Sequence, residues 1–98
     1  MSRKPNAAER YYMELVAELG CLVCRNQGLG YVPCQLHHIR DGYGISQRAP
    51  HYLVVPLCPE HHKDGGNGVA FHAGKQTFQG LYGSEMDLLA QTIELLNQ

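Results

Sequence analysis

Residues 58–62 read Cys58-Pro59-Glu60-His61-His62, and how this pentapeptide is read decides the fold. Proline suits the first turn of a helix, because its missing N–H would have no partner there anyway. The run before it, HYLVVPLC from His51 to Cys58, is β-compatible and is expected to break near its end at Pro56. Gly65, Gly66 and Gly68 then stop any helix that begins at Pro59. The pentapeptide is therefore a strand-to-helix junction carrying one thiol and two imidazoles. Cys58 and His61 have the two-residue spacer that lets a metal knuckle close on one ion.

Working outward, the matching half-site is Cys21-Leu22-Val23-Cys24. Two knuckles complete the closed tetrahedron that structural zinc prefers, so Cys21, Cys24, Cys58 and His61 are the expected zinc ligands. The plainer readings are a redox CxxC or buried thiols. Cys34 is left over, either as a small buried hydrophobe or as a replacement ligand. If His61 holds zinc, His62 faces elsewhere, because the next residue on a helix turns by about 100°.

The composition agrees with a metal staple. The chain has 98 residues with four cysteines, six histidines and no tryptophan, and a chain so short buries too little surface to be generously stable without help. Its N-terminus, MSRKPNAAER, lacks the apolar core of a secretory signal, and no apolar run approaches the roughly 20 residues of a membrane span. A cytoplasmic location is expected, and reducing cytosol favours metal over disulfides. The net charge of −1 and pI near 6.6 announce no nucleic-acid partner globally, so any phosphate affinity must be local.

The other segments read as support around this centre. Asn6 and Glu9 form a capping box for a helix over residues 7–19, with Tyr12, Leu15, Val16 and Leu19 as its apolar stripe and Gly20 as its stop. The tyrosines there are read as packing residues rather than base-stacking platforms. Residues 31–39, YVPCQLHHI, form a strand in which alternation points His37 and His38 to opposite sides. RDGYGISQRAP is a loop by its glycines and proline. Residues 70–80 are expected to be helical. Ser84 and Asp87 open a last helix with Met86, Leu89, Ile93 and Leu96 as its apolar stripe. The whole of 1–98 is expected to be a single α+β domain, with 1–5 as a flexible basic tail.

This strand-loop-strand-helix order, with LHHI on the first strand and CPEHH entering the helix, resembles the HNH (ββα-metal) endonucleases over residues 21–72. The resemblance implies a zinc-stapled ββα-metal core flanked by N- and C-terminal helices. Two departures stand out. His61 replaces the second cysteine of the later knuckle, and the central asparagine is missing, leaving His51 or a neighbour in its place. HHIRDGYG, VPLCPEHH and GVAFHAGKQTFQGLYGSE resemble more closely the phage recombination enhancement function (Ref) family of RecA-dependent HNH nucleases and its small prophage relatives, from about Leu19 to the C-terminus. Ref proteins carry a longer basic N-terminal arm associated with DNA binding, where this sequence has Ser2-Arg3-Lys4.

The resemblance implies a nuclease of phage or prophage origin that hydrolyses DNA phosphodiester bonds, in recombination with RecA. It implies His38 as general base, a role a near-neutral imidazole suits, and His37 and His62 as ligands of a catalytic divalent ion. His72, which follows the glycine loop and can fold back, is the candidate third ligand, against a plain surface or capping histidine. Imidazole-rich open sites accept zinc, nickel, manganese or magnesium. Arg40, Arg48 and Lys75 flank the histidines and are candidates for phosphate contacts, against the plainer reading of solvated charges. The competing reading is a non-catalytic zinc module that binds DNA or a recombination protein.

Overall fold

The structure, a computed structural model, describes residues 4–44 and 47–98. Residues 1–3 of the expected basic tail and residues 45–46 of the expected loop lie outside the described residues. Among the described residues the architecture is α+β, with a two-stranded antiparallel sheet and four α-helices.

Helix α1 (Ala7–Glu18) opens with the expected capping box. The Glu9 amide donates to Asn6 Oδ1 and the Asn6 amide to Glu9 Oε1, both at 2.8 Å, so two orphan donors of the first turn are satisfied reciprocally. The chain reverses at Gly20, whose φ is +75°. A Cβ there would meet the Tyr31 ring and the Val32 carbonyl oxygen at 2.9 Å. Helix α2 (Leu22–Asn26) follows at once, with Cys21 as its N-cap.

Strand β1 (Gln35–His38) pairs with β2 (Val54–Leu57) in the register Gln35↔Leu57, Leu36↔Pro56, His37↔Val55 and His38↔Val54. Both strands are shorter than the sequence runs suggest. Pro56 does not break β2 but lies inside it, because each strand of a two-stranded sheet has an open edge where a missing N–H costs nothing. All four β2 residues are buried, since α1 packs against this strand and α4 against it as well. Val16, Leu22, Val23, Val55, Leu57, Phe71, Phe78, Leu88 and Leu89 fill the interior.

The junction after β2 forms a single π turn, Glu60–Asp64, closed by the Gly65 amide donating to the Glu60 carbonyl at 2.9 Å. Gly65 is required by close approach, because a Cβ there would collide with the Glu60 carbonyl oxygen and the Val69 side chain. The expected helix at 70–80 is split at Gly74 into a 3₁₀ turn, Phe71–Ala73, and α3 (Lys75–Tyr82).

Helix α4 (Glu85–Leu96) has its Ser84/Asp87 capping box, but its buried face is not the expected one. Met86 and Ile93 are 51% and 42% exposed, and the buried residues are Glu85, Leu88, Leu89 and Thr92. Only Leu89 belongs to both sets. The reason is polar: Glu85 is engaged on β1 and rotates the helix so that its own face turns inward. No helix among the described residues is long and apolar enough to cross a membrane.

Candidate metal centres and active-site cleft

Cys21, Cys24, Cys58 and His61 converge in the interior, all buried, with their ligand atoms within 4.8 Å of one another. Cys21 and Cys24 come from the two ends of one helical turn, and the Cys24 amide donates to Cys21 Sγ at 3.5 Å. Cys58 and His61 come from the end of β2 and the π turn. The separations are 3.8 Å for Cys24 Sγ to Cys58 Sγ, 3.6 Å from His61 Nδ1 to the sulfurs of Cys21 and Cys24, and 3.1 Å from it to Cys58 Sγ.

These values fit the donor set to zinc. With Zn–S near 2.3 Å and Zn–N near 2.0 Å, tetrahedral edges are about 3.8 Å between sulfurs and about 3.5 Å between sulfur and nitrogen. A disulfide needs about 2.05 Å, and all four cysteines are free. Burial, then the neighbouring Cys21 and Cys58, push the Cys24 thiol up to about 12. Sulfurs packed this way resist ionising until a cation supplies the counter-charge. The four residues are thus positioned to bind a metal such as zinc. Cys34 lies outside the group and donates its thiol to the Ala17 carbonyl at 3.4 Å.

A second convergence uses His37 from β1, His62 from the π turn and His72 from the 3₁₀ turn, with ligand atoms again within 4.8 Å. His62 Nε2 and His72 Nε2 are 3.1 Å apart, a separation near the tetrahedral edge of about 3.3 Å for two imidazole nitrogens on one zinc. His61 and His62 thus serve different clusters from adjacent positions. The outer nitrogen of His62, Nδ1, meets Gln35 Oε1 at 2.9 Å, and His37 Nε2 meets Glu85 Oε2 at 2.5 Å. Burial first, then the neighbouring His37 and His72 imidazoles, push His62 down to about 4, and burial lowers His72 too. Both shifts favour the neutral imidazole, the form that binds metal.

Glu85, 2% exposed, also accepts the Arg40 amide at 2.7 Å and the Asp41 amide at 2.9 Å. Burial alone would raise its carboxyl, but these hydrogen bonds and that of His37 outweigh it and hold the group below its ordinary value. Sequence reading missed Glu85 because an acid at a helix start is unremarkable. The closest signal was its place in the family-like stretch ending GSE.

His37, His38, His62 and His72 line one cleft of about 380 Å³ together with Leu36, Arg40, Arg48 and Lys63. His38 projects to the opposite side of β1 from His37 at its Cβ, and its Nε2 lies 3.0 Å from His51 Nδ1. Burial first, then the Arg48 charge and the imidazoles of His51 and His37, lower His38 to about 4. His51 is itself buried. The Arg40 guanidinium donates to the carbonyls of Gly44 and Gln47 at 2.9 and 3.0 Å. Lys75 is not among the cleft residues and pairs with Asp41 at 3.4 Å on the surface. Lys63, absent from the sequence candidates, is brought to the cleft wall by the π turn.

The constellation is thus a closed sulfur-rich cluster beside an open imidazole cluster, with a fourth histidine and three cations around the opening. Such an arrangement can neutralise a bound phosphate and offer a neutral base beside it. Comparison with protein-family models matches residues 5–97 to the family described as recombination enhancement, RecA-dependent nuclease.

Proposed function

Because the chain belongs to the recombination-enhancement, RecA-dependent nuclease family, we propose that it is a metal-dependent HNH endonuclease of phage origin that hydrolyses DNA phosphodiester bonds and acts with RecA. The observation that carries this reading is the shared cleft of His37, His38, His62 and His72, edged by Arg40, Arg48 and Lys63. In it, β1, the following loop, β2 and the π turn stand for the ββα unit, with residues 1–98 acting as one domain. Cys21, Cys24, Cys58 and His61 hold a structural zinc.

His37, His62 and His72 hold the catalytic divalent ion, which can be zinc, nickel, manganese or magnesium. When bound, that ion supplies charge neutralisation at the phosphate and at the departing 3′ oxygen. Arg40, Arg48 and Lys63 hold the phosphate backbone, and Lys75 supplies a contact further along the strand. These contacts carry no base readout, so binding is salt-sensitive and largely indifferent to sequence.

His38 takes the proton of the attacking water. With its Nε2–H donated to His51 Nδ1, the His38 Nδ1 lone pair is left free to accept that proton. His51 thereby occupies the place of the missing asparagine, orienting the base. A phosphodiester entering the cleft brings negative charge, which opposes the downward shift of His38 and moves it toward the range where a base is effective.

The test compares wild type and His38→Ala on plasmid and single-stranded DNA, with each divalent ion, with and without RecA filaments. Cleavage by the wild type and a loss of at least ~100-fold in the variant are expected, with zinc content and thermal midpoint unchanged. DNA binding without cleavage under every condition would return the chain to the non-catalytic zinc module.

A further inference from the structure

Glu85 is a buried carboxylate that the cleavage chemistry above does not use. Its position invites a structural explanation as the first residue of α4. That explanation is already taken: Ser84 and Asp87 cap this helix, through the Asp87 amide on Ser84 Oγ at 3.0 Å and the Ser84 amide on Asp87 Oδ2 at 3.2 Å. Glu85 instead reaches out of its own helix to β1. Its Oε2 lies 2.5 Å from His37 Nε2 and 2.7 Å from the Arg40 amide, and its Oε1 lies 2.9 Å from the Asp41 amide.

Both Glu85 oxygens already accept backbone amides, which marks the carboxylate as the acceptor and places the proton of the His37 contact on His37 Nε2. In the neutral imidazole that leaves Nδ1 bare, the one ring nitrogen of His37 able to ligate. His62 is wired by the same logic with a weaker partner: its Nδ1 meets the neutral amide oxygen of Gln35 at 2.9 Å, which leaves Nε2 toward His72. Of the two outer contacts, only that of Glu85 carries a full charge. A carboxylate behind a ligating imidazole fixes its tautomer and ring plane and raises its basicity.

We infer that Glu85 is a positioning residue for the imidazole centre, holding His37 in the Nδ1-ligating tautomer and setting that centre's affinity for a divalent ion. The same carboxylate holds the amides of Arg40 and Asp41, so the segment just after β1 that carries Arg40 into the cleft is fixed by the group that orients the ligand. This inference rests on the reading of His37, His62 and His72 as a metal centre.

The experiment titrates protein carrying one zinc at its cysteine site with Co²⁺. The absence of a thiolate-to-cobalt band reports that the added ion sits on imidazoles and not on sulfur. Wild type is expected to take up one Co²⁺, and Glu85→Gln to bind it roughly 10–100-fold more weakly while retaining its zinc. In a His37→Ala background, Glu85→Gln is expected to add no further loss. Nitrogen chemical shifts of the imidazoles in wild type, before cobalt is added, are expected to show His37 protonated at Nε2, and this measurement decides the matter even if the variant fails to fold. Unchanged affinity in the variant, or a His37 proton on Nδ1, overturns the role of Glu85 alone. Failure of wild type to bind any second ion overturns the imidazole centre and the role of Glu85 with it.

Discussion

His61 and His62 are chemically identical neighbours with different surroundings. His61 Nδ1 faces the three buried sulfurs, whereas His62 faces His72 and Gln35. Exchanging either for alanine should therefore have separable results. His61→Ala is expected to release zinc and unfold the protein, because structural metal binding and folding are one equilibrium. His62→Ala is expected to keep zinc and most of the thermal stability while losing the second divalent ion, as read by metal analysis and calorimetry. Cys34 supplies the control. Its thiol hydrogen bond to Ala17 lies outside both clusters, so Cys34→Ala should keep full zinc stoichiometry and lose about 1 kcal/mol or less in urea unfolding. At this scale the sequence was informative about which thiols and imidazole converge, since CxxC and CxxH spacings report local geometry. It was silent about partners distant in the chain: Glu85 lies 48 residues from His37, and nothing local marks an acid as buried.

At the scale of elements, the capped helices follow their local signals closely. Asn6 with Glu9 and Ser84 with Asp87 are self-contained boxes that need no tertiary help. The rotation of α4 is different. Apolar periodicity favours Met86, Leu89, Ile93 and Leu96, but the bonds Glu85 makes to β1 select the face with Leu88, Leu89 and Thr92, and Thr92 closes onto the Leu88 carbonyl at 2.8 Å. Hydrogen bonding to a buried carboxylate outweighs the modest gain from burying one methionine. Met86→Gln is accordingly expected to change stability by no more than about 0.5 kcal/mol, whereas Leu89→Ala should cost about 2–5 kcal/mol. Chemical denaturation of the two variants checks the orientation of the helix. The π turn is likewise outside the reach of periodicity, because it depends on Gly65 fitting between Glu60 and Val69.

For the whole molecule, the sheet is small, each strand having four residues, and a two-stranded sheet alone is marginal in water. The cysteine cluster joins α2 to the end of β2 and the π turn, and the imidazole cluster joins β1 to the π and 3₁₀ turns. Chelation should consequently act in two stages. A mild chelator is expected to remove the open-site ion and silence cleavage while far-ultraviolet circular dichroism stays native. A stronger one that strips the cysteine site is expected to collapse the helical signal, and zinc should restore it. The α+β arrangement could be anticipated because its punctuation is local, whereas the cleft emerges only when turns far apart in the chain are brought onto one sheet.

The peptide bond between His61 and His62 acts as a ruler of fixed length. One ring is anchored among sulfurs and the next reaches the cleft, so the distance from the sulfur cluster to the imidazole cluster is set by a single residue step. An insertion between them cannot be absorbed by loop slack, whereas a change of length between β1 and β2 leaves that spacing unaltered.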